Sequence, residues 1–331
     1  MNTTSSITNP LFNLETGRFR FICKRNSRIE FNNDFCARLR GSIGFLIKKN
    51  CCVYKNFRER SCPECLLSHS CSYPQLFDPP LPPPRVDAKG ILRIGHPPPR
   101  PFVLSAVEDS DDNSLLQVEF CLFGPALKEA AFFLDMAGSS LLSIHSENRP
   151  FLTGIVDFQP LTPGSCANTQ GETYIHSLAE WIACEHVHGK NPDACRRVTL
   201  SFRSPLCLVK AGKKNLPTVL PEILLKTVVR RLRDLKRAYG KDTNMGKIEN
   251  HIFKNLKKIS CVGNNLHPAT GVRYSYRQEK WINLPGITGK IVYNTVHPAL
   301  LVFLQCGQII QIGKGTSWGL GNMQIDCTRN P

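Results

Sequence analysis

Long apolar runs are missing from this 331-residue chain. The longest, residues 299–304 (ALLVFL), has six residues, against the roughly 18–20 that span a bilayer. The first fourteen residues are polar and hold no apolar signal core, so the sequence reads as that of a cytoplasmic protein without a membrane partner. No repeat of fixed period is visible, which argues against solenoids and propellers. Acidic residues are scarce in the second part of the chain. Residues 196–331 carry 23 Lys+Arg against 6 Asp+Glu, whereas residues 1–195 carry 19 against 20. The whole formal excess of +16 therefore sits C-terminally. Such a field attracts polyanions, nucleic acid first among them, unless it is only a solubilising surface. The order G-x-x-x-x-G-K-[ST] is absent too, so a phosphate-loop nucleotide hydrolase is not expected.

What is present begins with a hydrophobic content of 41 %, enough for real cores and incompatible with global disorder. Strand-like alternation over 17–24, a helical pattern from Asp34 to about Lys49, strands over 100–107 and 115–123, a helix over 126–136 closed by Gly138, and a strand over 151–158 give the order βαββαβ. Residues 160–193 are mixed and read as a connector. A strand over 197–202 and a helix over 221–239, with proline in its first turn, follow. Then come a weaker helical stretch over 248–258, strands over 272–282 and 289–293, a short helix over 298–304, and strands over 308–312 and 322–325. The second part again approximates βαββαβ. The fold class expected is α+β, with tandem ferredoxin-like (RRM-like) domains. The boundaries expected are 1–160 with a cysteine-rich insert at 51–98, an inter-domain region at 161–195, and a basic domain at 196–331.

Four groups of residues carry possible chemistry. Fifteen cysteines is a high count, and Cys52, Cys62, Cys65 and Cys71 are spaced C-x9-C-x2-C-x5-C. A CxxC pair with two flanking thiols can hold one tetrahedral ion, zinc first and an iron–sulfur cluster second, as a structural metal. Unligated thiols or redox work are the alternatives, and His69 can stand in for one thiolate. A second group, Cys184, His186, His188 and Cys195, matches no common zinc spacing and reads as a polar loop. The helix over 226–237 presents Arg230, Arg231, Arg233 and Arg237 around a leucine stripe, either as a phosphate track or as a solvated face. Finally, Gly313, Lys314, Gly315, Thr316, Ser317, Trp318 and the glycines at 319 and 321 form a glycine-rich loop at 313–321. Its backbone N–H groups can approach an anion, and Trp318 can stack on a base. The other reading is a tight hairpin with a core tryptophan.

That loop, GKGTSWGLG, resembles the signature of the RAMP superfamily of CRISPR-associated proteins. Five further stretches resemble its branch of precursor-RNA-processing endoribonucleases. They are RLRGSIGFLIKK (38–49), the cysteine group ending CSYPQLFDPP (71–80), RPFVLSAV (100–107), VTLSFRSPLCLVKAGK (198–213) and YSYRQEKWINLPGITGKIVY (274–293). Only about 160–195 lacks a counterpart. The resemblance implies binding of CRISPR repeat RNA, with Arg273 and Arg277 added to the contacts, and one cut per repeat without a catalytic metal. In that chemistry the 2′-hydroxyl attacks the adjacent phosphate and leaves a 2′,3′-cyclic phosphate. Related sequences carry a histidine after G-x-x-G in the first helix, where this chain has Phe45. The substitutes for proton transfer are His69, Lys49 and Tyr54. A non-catalytic RNA-binding subunit of a CRISPR effector complex, contacting other subunits, is the alternative. A redox or DNA-binding protein centred on the cysteines is a third reading.

Overall fold

The computed structural model describes residues 9–26, 34–59, 62–82, 84–86, 92–93, 97–109, 111–146, 149–163, 174–187, 197–210, 213–214, 219–242, 244, 256, 258–275 and 279–328. The first unit is built from β1 (Glu15–Arg25), α1 (Phe35–Cys51), β2 (Phe102–Glu108), β3 (Leu115–Phe123), α2 (Ala130–Ser143) and β4 (Leu152–Leu161). All its pairings are antiparallel, in the order β2-β3-β1-β4. The alternation in β1 explains why. Phe19, Phe21 and Cys23 are buried under the helices, while Arg18 and Arg20 point to the other face. Phe133 on α2 meets Phe102 at 5.2 Å and Phe120 at 5.5 Å between ring centroids. Such rings contribute roughly 1.5–3 kcal/mol each when fully buried.

A short helix, α3 (Leu178–Val187), follows, and then the second unit: β5 (Arg197–Leu206), α4 (Pro221–Tyr239), β6 (Ser260–Ser275), β7 (Lys280–Asn294), α5 (Pro298–Ile310) and β8 (Met323–Thr328). Its sheet runs β6-β7-β5-β8, again antiparallel throughout. Both units thus have the βαββαβ order and the strand arrangement of a ferredoxin-like unit.

Several sequence expectations need correction. Within the region expected as connector, the described α3 does more than link: its Leu178, Trp181 and Ile182 enter the main core, and the Trp181 indole donates to the Thr16 carbonyl at 3.3 Å. Gly138 does not close α2, which continues to Ser143. The strand expected over 272–282 is divided: 272–275 belong to β6 and 280–282 to β7, which pair antiparallel with each other. Residues 308–310, expected as strand, end α5, because its apolar face extends to Ile309 and Ile310. Most of the helix expected over 248–258 lies outside the described residues.

The two sheets share a core. Leu11, Phe12, Val103 and Phe123 of the N-terminal part pack with α4 and α5, and Phe12 meets Phe303 at 5.3 Å. Polar ties cross the same seam. Gln311 donates through Nε2 to the Leu104 carbonyl at 3.0 Å, and the Tyr239 hydroxyl donates to the Pro99 carbonyl. The buried Lys236 ammonium donates to the Pro10 carbonyl and pairs with Asp242 at 2.9 Å. These contacts hold the two units in one arrangement, so residues from both can build one site.

Candidate nucleic-acid interface

The glycine-rich loop lies on that seam. Gly313, Gly315, Gly319 and Gly321 all have positive φ, from 73° to 88°, a region that L residues with a Cβ rarely enter. The sequence reading assigned these glycines to anion approach, but the structure gives them a different first task. A Cβ on Gly319 would sit 2.4 Å from the Cβ of Cys36 on α1, and one on Gly321 would sit 1.8 Å from the Ile312 carbonyl oxygen. The N–H groups of Lys314, Trp318, Gly319, Leu320 and Gly321 are taken up by protein carbonyls, and Thr316 and Ser317 are buried. Gly319 therefore lets the loop dock onto α1, while Gly313, Gly315 and Gly321 let it close against Cys207, Leu320 and Ile312. What it presents outward is the Lys314 ammonium, which is exposed, and the half-buried Trp318 ring.

Trp318 is also not bare for a base. The Arg273 guanidinium, from β6, lies 3.9 Å from its ring centroid, and that of Arg40, from α1, lies 5.8 Å away. Arg40 also lies 5.2 Å from the Phe77 ring. Phe77 belongs to a short helix, Ser72–Phe77, in which Tyr73 stacks on it at 5.6 Å. Arg100 donates through Nε to the Phe77 carbonyl at 3.0 Å and reaches Asp78 at 3.8 Å. Three guanidiniums thus converge where α1, the Ser72–Phe77 turn, β6 and the glycine loop meet. Burial, and then the charge of Arg100 and Arg273, push the Arg40 guanidinium down to about 10, against the opposing pull of Tyr73 and Asp78. Among the described residues its buried Nε has no hydrogen-bond partner, nor has the Trp318 indole N–H. Cations that repel one another beside unengaged donors are the signature of a site completed by an anion. Arg40, Arg100 and Tyr73 escaped the sequence reading. The only signal was that each falls inside one of the resembling stretches, Arg40 in 38–49, Tyr73 in 71–80 and Arg100 in 100–107.

A cleft of about 360 Å³ also opens between the sheets, lined among others by Arg18, Arg20, Arg203, Gln308 and Gln324. Burial alone would raise the Glu119 carboxyl, yet Arg18 and Arg20, at 3.2 and 2.6 Å, hold it below the usual carboxylate range. One carboxylate offsets only one of the two guanidiniums, so this trio keeps a net positive charge, to which Arg203 adds.

The arginine helix divides. Arg230 and Arg237 are exposed and Arg233 is half-buried, with Arg237 3.4 Å from Asp234. Arg231 does not fit the expected phosphate track. It turns inward and donates through Nε to the Ile310 carbonyl at 2.8 Å, and burial pushes it down to about 10. Arg277 lies outside the described residues.

The three candidates for proton transfer are not brought to the cationic cluster. Lys49 and His69 are exposed, and Tyr54, also exposed, borders a small cavity lined by Cys51, Cys52, Cys62, Cys65 and Cys71. Phe45 packs at a tilt against Phe57, with ring centroids 5.7 Å apart, and carries Arg58 over its face at 4.9 Å, on the solvent side of α1. Among the described residues, no three His, Cys, Asp or Glu side chains form a ready metal-binding group, and no helix is long and apolar enough to cross a membrane.

Comparison with known proteins follows this division. Residues 200–323 match the family model of the CRISPR-associated endoribonuclease Cas6, and residues 14–140 match a model described as an N-terminal domain. The resemblance to CRISPR precursor-RNA-processing endoribonucleases is thus borne out, and it is carried by the C-terminal part of the chain, where residues 200–323 are similar to the Cas6 model. No curated protein matches the chain. Among solved structures it is similar to a Cas6 product complex, with 14 % identity over 94 % of this chain and 99 % of that one (TM-score 0.47). It is likewise similar to a Thermus thermophilus Cas6, with 13 % identity over 94 % and 98 % (TM-score 0.49). A third is the CRISPR endoribonuclease Cse3 bound to 19 nt RNA, with 10 % identity over 94 % and 99 % (TM-score 0.28).

Proposed function

We propose that this chain binds CRISPR repeat RNA and cuts it once per repeat, with the scissile phosphate seated at the Arg40–Arg100–Arg273 cluster. The observation that carries this reading is the convergence of the half-buried Arg40, Arg100 and Arg273 guanidiniums at the edge of the glycine-rich loop. In the reaction the ribose 2′-hydroxyl oxygen bonds to the adjacent phosphorus while the bond from phosphorus to the 5′-oxygen breaks. The 2′ proton leaves to a base, and the 5′-oxygen takes up a proton. The products are a 2′,3′-cyclic phosphate and a 5′-hydroxyl. The guanidiniums stabilise the charge that builds on the phosphoryl oxygens, a contribution that is large where water is excluded. Tyr73 stacks on Phe77, the ring beside the Arg40 guanidinium, and on that position it is the proton donor we favour for the leaving oxygen, ahead of His69, Lys49 and Tyr54, although burial raises its phenol.

The reading is tested by incubating the purified protein with its own repeat RNA in EDTA and mapping the product ends. A single cut with a cyclic phosphate supports it, and binding without cutting selects the non-catalytic subunit reading, which Phe45 favours. For Tyr73→Phe, single-turnover cleavage is expected to fall about 100-fold, the low end for a lost general acid, while RNA affinity stays within a few-fold. Equal rates for the two proteins would remove Tyr73 from the chemistry.

Arg230 and Arg237 are the solvent-facing remainder of the proposed track. Replacing both by alanine is expected to lower affinity and to flatten the slope of log K against log salt by about one to two. Arg231→Met should leave that slope unchanged and lower the unfolding midpoint instead, because its guanidinium serves the Ile310 carbonyl. Filter binding across a salt series separates the two classes.

A further inference from the structure

We infer that the segment after α1 is a structural zinc site of four thiolates: Cys62, Cys65, Cys71 and one thiol of the Cys51–Cys52 pair. The inference stands apart from the RNA reading.

The first argument is what the segment lacks. Between α1 and the Ser72–Phe77 helix the chain runs as turns, and its apolar side chains do not bury. Val53 is 71 % exposed, Leu66 95 % and Leu67 45 %. A segment of this kind has no hydrophobic core to hold it, and small core-less loops are ordinarily held by a metal or a disulfide.

The second argument is where the sulfurs go. Five cysteines spread along residues 51–71 line one small cavity of about 30 Å³, together with Lys48, Tyr54 and Tyr73. Cys51 and Cys71 already bring their sulfurs to 3.5 Å. Thiolates on a tetrahedral zinc, with Zn–S near 2.3 Å, lie about 3.8 Å apart. The Cys65 N–H donates to the Cys62 carbonyl at 3.1 Å, which closes the C-x-x-C turn so that both side chains can face the same ion. The Cys71 N–H donates to the Leu67 carbonyl at 2.9 Å and brings the far end of the segment back to α1. Cys51 ends α1 and Cys52 caps it through its N–H to the Lys48 carbonyl at 3.0 Å, so either thiol is carried by a rigid element. Binding one Zn²⁺ displaces four thiol protons and changes no oxidation state. The fifth cysteine stays a thiol.

The consequence is positional. Cys71 is followed directly by the helix that carries Tyr73 and Phe77, and the Lys48 ammonium lies 5.3 Å from the Tyr73 ring. A metal there pins this helix to the end of α1, beside Arg40.

The test is elemental analysis of the full chain, purified anaerobically with Zn²⁺ in the medium, alongside titration of its thiols. One zinc per chain is expected, falling below a tenth in Cys62→Ser/Cys65→Ser. Reconstitution with Co²⁺ should give thiolate charge-transfer absorption and tetrahedral d–d bands. Zinc retained in Cys51→Ser but lost in Cys52→Ser, or the reverse, identifies the fourth ligand. A soluble wild-type chain that carries no metal and whose thiols all react freely overturns the inference. So does a Cys51–Cys71 disulfide, or a coloured protein containing iron and sulfide. None of these readouts uses RNA, so failure here and failure to cut repeat RNA are distinct results.

Discussion

An Arg40→Met protein is expected to fold at least as stably as the parent and to bind repeat RNA roughly 30- to 150-fold more weakly. The two halves of that expectation have one cause. In the free protein the Arg40 guanidinium is held away from water with an unpartnered Nε, near the like charges of Arg100 and Arg273. Keeping an incompletely bonded cation there works against folding. Methionine retains the apolar stem and can pack against the Phe77 and Trp318 rings that now flank the guanidinium. When phosphate arrives, the same guanidinium gains a charge-assisted hydrogen bond worth about 2–3 kcal/mol, which sets the fold-change. Unfolding midpoints and filter-binding affinities measured on one preparation decide the matter. A loss of affinity below about three-fold, or an affinity loss that only tracks a falling midpoint, would falsify the phosphate assignment.

How much of this was legible in the sequence depends on whether the signal is local. The two βαββαβ orders were, because they rest on period and on punctuation. The alternation of β1 and the proline-started leucine stripe of α4 need no partner to be recognised. The α5 boundary was not, because the run from Pro298 to Ile310 is apolar on nearly every side. A helix enclosed by protein loses the amphipathic contrast by which its end is read. The β6–β7 hairpin was misread for a related reason. Its strands are fifteen and sixteen residues long, and glycines and prolines along them look like turns where they are only irregularities in a long ribbon.

The site was half legible. The C-terminal charge excess pointed to a polyanion, and the glycine-rich loop marked the place. Neither could show that the strongest cationic cluster draws Arg40 and Arg100 from the N-terminal unit, whose overall charge is balanced. Net charge per segment is blind to cations brought together across a fold. The same blindness assigned Arg231 to the surface. It follows Arg230 directly in sequence but lies about 100° further around the helix, where the packing of α4 against α5 turns it inward. Trp318 differs again. Its loop was singled out for the right place, but base stacking was expected of a ring over which Arg273 already lies.

The loop glycines make the sharpest contrast available within one protein. In Gly319→Ala, the methyl group must occupy a backbone with φ near +80°, 2.4 Å from the Cβ and 2.6 Å from the sulfur of Cys36. Left-handed backbone with a side chain costs about 1–3 kcal/mol, and overpacking against a helix costs about 1–3 kcal/mol more. The loop escapes only by lifting off α1, which carries Trp318 away from Arg40. Stability and RNA affinity are therefore expected to fall together. Gly41→Ala is the counterpart on α1, in the middle of the helix, where an added Cβ meets nothing within 4 Å. It is expected to stabilise by about 0.5–1 kcal/mol, since alanine replaces glycine within a helix. A second-site change locates the strain. Cys36→Gly removes both clashing atoms at the expense of a helical glycine, so Gly319→Ala/Cys36→Gly should be more stable than Gly319→Ala despite carrying two unfavourable substitutions. Denaturant midpoints of the four proteins settle this. If Gly319→Ala matched the parent, or if Cys36→Gly made it worse, the loop would not be docked on α1 as described, and the cationic cluster that depends on that docking would fall with it.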